Sequence, residues 1–278
     1  MISARLDSPT PLLRKNPTSS QPPLPYRSLV EHLLQRAGRA ALQTFRATSP
    51  RNKADGSQVT DADHAAEEII VEGLAKACPR MGIIGEEGTR TTGPEGTWYV
   101  DPIDGTSAFI EGLAYWGPTL CLVREGHVEV GAFHLPRLGE TWYAARGHGA
   151  YRDDKRLRPT GPERVQRNDS LYVPSRFHRR IPIPWPGKVR ALGSTAAHLA
   201  HAASGGAAAT LVSRWALWDV GCGILLVREA NRDLVDLTGA AFDPMEHPGQ
   251  PFLAGAPAAL RLLGKSFDRT SSTLEREP

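Results

Sequence analysis

Residues 98–109 read Trp98-Tyr99-Val100-Asp101-Pro102-Ile103-Asp104-Gly105-Thr106-Ser107-Ala108-Phe109. An apolar run ends on two carboxylates three positions apart, and a Gly-Thr pair then opens a helix. A buried strand that stops on charges and hands directly to a helix is a strand-to-helix junction of a layered α/β fold. The spacing predicts a turn between the carboxylates, stiffened by Pro102. Hard oxygen ligands suited to Mg²⁺ and backbone N–H groups suited to phosphate then meet at one point. The junction therefore points to metal-assisted phosphate chemistry.

The rest of the chain is consistent with such a fold. It has 278 residues, 40% of them hydrophobic, enough for one large domain or two tightly joined smaller ones. A formal net charge of +3 is too small for this length to argue for nucleic acid or membrane binding. Basic residues gather at Arg152, Lys155, Arg156, Arg158, Arg164 and Arg167, but Asp153, Asp154 and Glu163 intersperse them, as in a solvated loop. Cys78, Cys121 and Cys222 have no metal-ligand spacing and read as reduced core thiols, which favours a cytoplasmic protein. Residues 1–25, rich in Ser, Thr and Pro with no apolar core, read as a mobile tail and not a signal peptide.

Helical spacing covers Ser28 to Phe45, with Ser28 as N-cap. A polar loop with Lys53 and the turn pair Asp55-Gly56 follows, and a second helix begins near Asp61 or Asp63. Met81 to Ile84 and Trp98 to Val100 read as strands, and Thr119 to Tyr151 as an antiparallel meander. Residues 152–168 form a polar break between an N-terminal half, 26–152, and a C-terminal half, 168–265. Beyond it, strands at 171–173, 189–192 and 209–212 alternate with helices at 194–203 and 220–230. The whole reads as α/β with mixed sheets and as a single catalytic unit.

Four acidic positions lie at element ends: Glu86, Asp101, Asp104 and Asp219. Each alone is an ordinary cap or turn residue. Together, with the Ile103 carbonyl between the two aspartates, they can support two or three Mg²⁺ ions that clamp a phosphate and acidify water. Asp63, in the first turn of its helix, either caps it or accepts a hydrogen bond from Thr106. No Ser-His-Asp arrangement is legible among the nine histidines, and no Walker loop or dinucleotide fingerprint occurs.

With these residues assembled, the chain resembles the inositol monophosphatase family of Mg²⁺-dependent, lithium-sensitive phosphatases. The motifs occur in order across residues 53–232: Lys53 with Val59-Thr60-Asp61-Ala62-Asp63, then Gly85-Glu86-Glu87, then Asp101 to Thr106, then Trp218-Asp219-Val220; Leu192 to Ala196 matches a substrate-side segment. The resemblance implies an αβαβα sandwich and a homodimer. It implies that Glu86, Asp101, Ile103, Asp104 and Asp219 hold metal. Thr106, supported by Asp63, would orient and deprotonate the attacking water, with Glu86 beside them in the catalytic set. Gly105, Thr106, Ser194 and Asp219 would contact phosphate or substrate.

The implied activity is hydrolysis of a small polar phosphate ester, inositol-phosphate-like, histidinol phosphate or a sugar phosphate, by metal-activated water. Alternatives are a 3′-phosphoadenosine 5′-phosphate or sugar bisphosphate phosphatase, a non-catalytic homologue used as a binding partner, and a structural dimer binding Ca²⁺. The mixed charge near Arg176, Arg179 and Arg180 could suit a second phosphate, but reads first as an exposed loop. The chain departs from the family at three places. Val212 replaces a Glu that contacts the inositol ring. Asn231-Arg232 replace a pair of glycines. Ser107-Ala108-Phe109 replace a Thr-Asn-Phe or Lys-Asn-Phe.

Overall fold

A computed structural model describes residues 24–47, 49–54, 56–159, 163–177 and 185–267. The expectations for residues 1–23, Asp55, Arg179 and Arg180 lie outside these. Helix α1 (Arg27–Thr44) buries Val30, Leu33, Leu34, Ala37 and Ala41 along one stripe. Its expected cap does not form. Ser28 lies inside the first turn, and the preceding residue is Tyr26, at φ +56° with no side-chain cap. Tertiary contacts fix the helix start instead: the Tyr26 ring stands edge-on to Trp98, and its hydroxyl accepts from Arg124 at 3.0 Å.

Strands β1 (Arg51–Asn52) and β2 (Gln58–Val59) form a small hairpin whose loop carries Lys53. Helix α2 (Asp61–Ala77) starts on a capping box: Thr60 accepts from the Ala62 N–H, and Asp63 accepts the Thr60 N–H at 2.8 Å. Strands β3 (Gly82–Gly85) and β4 (Thr97–Asp104), the short helix α3 (Thr106–Ile110), and β5 (Gly117–Arg124), β6 (His127–Leu135), β7 (Glu140–Ala145), β8 (Gly149–Arg152) and β9 (Lys155–Arg156) complete this half. The strands form one seven-stranded sheet in the order β3-β4-β5-β6-β7-β8-β9, parallel only at β3–β4. The polar break begins as this last hairpin strand, β9.

The opening junction differs from the expected turn. Strand β4 runs through Asp101 to Asp104. Asp101 pairs with Thr119 and Asp104 with Gly117, so three steps on β4 face two on β5. The extra residue is a bulge, and Pro102, which has no N–H to offer the ladder, sits within it. Strict alternation would put residues 101 and 104 on opposite faces. The inserted residue returns both carboxylates to one side.

The second half contains β10 (Ser170–Tyr172), β11 (Lys188–Arg190), α4 (Thr195–Ser204), β12 (Ala209–Val212), α5 (Leu217–Glu229), β13 (Asp233–Val235), β14 (Phe252–Gly255) and α6 (Pro257–Phe267). Its mixed sheet has the order β11-β10-β12-β14-β13. Strand alternation sorts the cores into layers. Leu120, Leu122, Tyr143 and Ala145 pack under α1 and α2, while Cys121, Trp142 and Ala144 face α4 and α5. Val212, Phe252 and Ala254 of the second sheet cover the far side of those helices, and Leu211 and Leu253 face α6. The result is the αβαβα sandwich. All three cysteines are buried and free. Among the described residues no helix is long and apolar enough to cross a membrane.

Two sequence departures find a local account. Asn231 adopts φ +55°, the left-handed conformation a glycine would take, and asparagine tolerates it well. Ala108 is buried against Gly193, where an added Cβ would come within 2.9 Å of the Ala108 methyl. A small residue at 108 thus lets the segment before α4 lie against α3.

Candidate active site

Carboxylates arrive from three separate segments. Glu86 follows β3, Asp101 and Asp104 end β4, and Asp219 sits in the first turn of α5. Oxygen atoms of Glu86, Asp101 and Asp219 lie within 4.8 Å of one another. At an effective dielectric near 20, each such pair of like charges costs roughly 3 kcal/mol. Asp101 is fully enclosed, and burial together with the charges of Glu86, Asp104 and Asp219 raises its carboxyl well above the usual range. Burial, Asp104 and Glu86 likewise raise Asp219, against the Ala216 N–H that it accepts at 2.7 Å.

Asp104 is held differently. Its Oδ2 accepts from the Ser194 hydroxyl and from the Ala196 N–H at 2.8 Å, and its Oδ1 accepts from the Thr195 N–H at 3.2 Å. Ser194 is also the N-cap of α4, accepting from the Ala197 N–H at 3.0 Å. Asp104 therefore joins the two halves of the chain and places a negative charge on the positive end of α4. One lone pair of Oδ1 is left for another partner.

Asp63 fills both roles that the sequence left open. Its Oδ2 closes the α2 capping box, and its Oδ1 accepts from Thr106 Oγ1 at 3.3 Å. The Thr106 hydroxyl also lies 3.2 Å from the Ile103 carbonyl, so a single proton has two acceptors. Burial raises the Asp63 carboxyl above its usual range, opposed by its hydrogen bonds to Thr60. Gly105 precedes α3 at φ +93°, and a Cβ there would stand 3.1 Å from both the Gly193 carbonyl and Ser194 Cβ. This position needs glycine on both counts.

Two further residues shape the site. Lys53 Nζ bonds Glu86 and Glu87, each at 2.7 Å. Burial alone would lower its ammonium pKa; the two carboxylates outweigh that and raise it. Glu67 was not singled out from the sequence. It is buried on α2 and accepts from the Glu87 N–H at 2.8 Å, the Thr89 N–H at 3.2 Å and the Thr89 hydroxyl at 2.6 Å, so it shapes the loop that presents Glu86. A Cβ on Gly85 would collide with its carboxylate at 2.5 Å. The available signal was position: Glu67 stands one turn after Asp63, on the stripe of α2 that also buries Ala66 and Ile70.

A layered α/β fold with convergent carboxylates beside a glycine-led helix start defines a phosphoric monoester hydrolase. The model of the inositol monophosphatase family matches residues 25–263, and the chain belongs to that family. An inositol-1-monophosphatase from Mesorhizobium japonicum is 33% identical over 202 residues, 67% of this chain and 75% of its own length. A histidinol-phosphatase from Chlorobaculum parvum is 30% identical over 226 residues, 77% and 87% of the two chains. The crystal structure of the extragenic suppressor protein SuhB from Bartonella henselae matches with a TM-score of 0.79 at 26% identity, covering 87% of this chain and 98% of that one.

Proposed function

We propose that this hydrolase is Mg²⁺-dependent and cleaves a small polar phosphate ester at the Glu86–Asp101–Asp219 cluster. The observation that carries the reading is the cluster itself. Three carboxylates lie within 4.8 Å of one another, one of them fully buried, and among the described residues the one ammonium paired with them, Lys53, is shared with Glu87. All donors are hard oxygens, the set that suits Mg²⁺. Glu86, Asp101 and Asp219, the spare lone pair of Asp104 and the Ile103 carbonyl would hold two or three ions. Bound there, Mg²⁺ supplies charge neutralisation for the phosphoryl group and acidification of water.

The chain's own groups do the rest. Thr106 orients the attacking water, and Asp63 takes the proton that the Thr106 hydroxyl relays. The N–H groups of Gly105 and Thr106 hold the phosphate, and Ser194 and Asp219 border the leaving group. Residues 26–152 and 168–265 act as one catalytic unit, since the Asp104–Ser194 bond joins them. The buried free thiols fit a cytoplasmic enzyme. The family resemblance favours a homodimer, which sedimentation would read directly.

Relatives are named for inositol-1-phosphate and for histidinol phosphate. Val212 is buried in β12 at the position of the ring-contacting Glu, which weighs against inositol phosphate here. Phosphate release from a panel of esters, with Mg²⁺ and with chelator, tests the proposal. Mg²⁺-dependent release from at least one ester is expected. No release from any ester would favour the binding-partner reading.

A further inference from the structure

A cavity of about 310 Å³ opens directly beside the phosphate handle. Its floor is Gly193-Ser194-Thr195, the segment whose backbone lies against Gly105 and whose hydroxyl bonds Asp104. An ester whose phosphate sits on Gly105 and Thr106 therefore directs its leaving group into this space. The walls mix apolar Phe177, Leu211 and Val212 with polar Ser175, Ser213 and the buried His198. The rim carries Arg176 and Arg214, both exposed. Neither guanidinium makes a hydrogen bond or ion pair among the described residues. Among the described residues no Asp or Glu lines the cavity.

We infer that this cavity selects a leaving group bearing a second anion, which Arg176 and Arg214 clamp; the inference rests on the hydrolase reading above. Guanidinium forks bind phosphate and carboxylate bidentately. Two of them, unpaired at the mouth of a cavity without a carboxylate, make a positive well for such a group. A hydroxyl-rich neutral ring finds apolar Val212 in place of an acidic partner. An amine-bearing leaving group meets two like charges and no counter-charge. The volume lies at the lower end of small-molecule sites, which fits a leaving group of sugar size.

Matched substrates test this: fructose 1-phosphate against fructose 1,6-bisphosphate, assayed with the wild-type enzyme and with an Arg176→Gln/Arg214→Gln double variant. The wild type should prefer the bisphosphate roughly tenfold or more in kcat/KM, the value of one to two exposed charge pairs near 1 kcal/mol each. The preference should sit mainly in KM and shrink with added salt. In the double variant it should fall below about twofold. Equal kcat/KM values in the wild type, or an unchanged preference in the double variant, would overturn the inference. If neither ester is hydrolysed while another ester of the panel is, the hydrolase reading stands and the clamp is judged by binding. The ratio of the two Kd values by calorimetry, wild type against double variant, then decides the anion clamp independently, with the same expectation and the same contrary result.

Discussion

The Ser194 hydroxyl donates to Asp104 Oδ2 across 90 residues of sequence, and with the N–H groups of Thr195 and Ala196 it ties the end of β4 to the start of α4. Asp104 is thus both a candidate metal ligand and an anchor between the halves of the chain. In Asp104→Asn an amide NH₂ must face one of these donors. Turnover should fall at least about a hundredfold, and stability by about 1–3 kcal/mol, the cost of leaving buried donors unpaired. Initial rates and thermal denaturation of the same preparation check both numbers. Wild-type turnover in this variant would remove Asp104 from the candidate metal ligands.

Glu67 touches no candidate ligand, yet it shapes the loop that presents Glu86. Glu67→Gln replaces one acceptor oxygen with a donor that faces the Glu87 N–H or the Thr89 pair. Stability should drop by about 1–3 kcal/mol. The Mg²⁺ concentration for half-maximal rate should rise several-fold. A Mg²⁺ titration alongside a melting curve separates this from general destabilisation, since a purely structural role would leave the Mg²⁺ midpoint in place.

Stability should also carry a pH signature from His198. Its Nε2 accepts the Leu192 N–H at 2.9 Å, so the ring is neutral, and burial lowers its pKa to about 4. The unfolded chain takes up this proton near pH 6.5 and the folded one only near 4. The contribution is therefore full above pH 6.5, declines as pH falls, and is gone below about pH 4. A shift of this size is worth about 3 kcal/mol. Buried carboxylates with raised pKa values, Asp101 and Asp219 among them, act in the opposite sense. The contrast between wild type and His198→Gln isolates the histidine. Denaturant unfolding at pH 7 and pH 4.5 should show the variant losing less stability than the wild type; parallel losses would contradict the assignment.

Most elements were legible because their signals are local. Apolar periodicity marked α1, α2, α4 and α5, and the start of α2 was legible near Asp61 or Asp63; the capping box from Thr60 was visible only in the structure. The bulge in β4 was not legible, since a proline between two aspartates reads as a turn until the pairing with Thr119 and Gly117 is known. The start of α1 was misplaced because Trp98 and Arg124, not a cap, fix Tyr26. Strands β13 and β14 and helix α6 went unassigned: the two strands are only three and four residues long, and β14 takes its place by pairing with both β12 and β13. At the site, the carboxylates could be gathered from motif order. In the sequence Arg176 reads, with Arg179 and Arg180, as part of an exposed charged loop that could suit a second phosphate; Arg214 and the shared cavity were not legible, because the walls come from segments that meet only in the folded chain.

The central claim is that the carboxylate cluster binds the ion on which hydrolysis depends. Phosphate release measured against Mg²⁺ concentration, for wild type and Asp219→Asn, tests it most directly. The wild type should be inactive in chelator and saturate with Mg²⁺. The variant should need at least tenfold more Mg²⁺ or lose turnover by about a hundredfold. A wild-type rate that ignores chelator, or superimposable Mg²⁺ curves for the two proteins, would contradict the account.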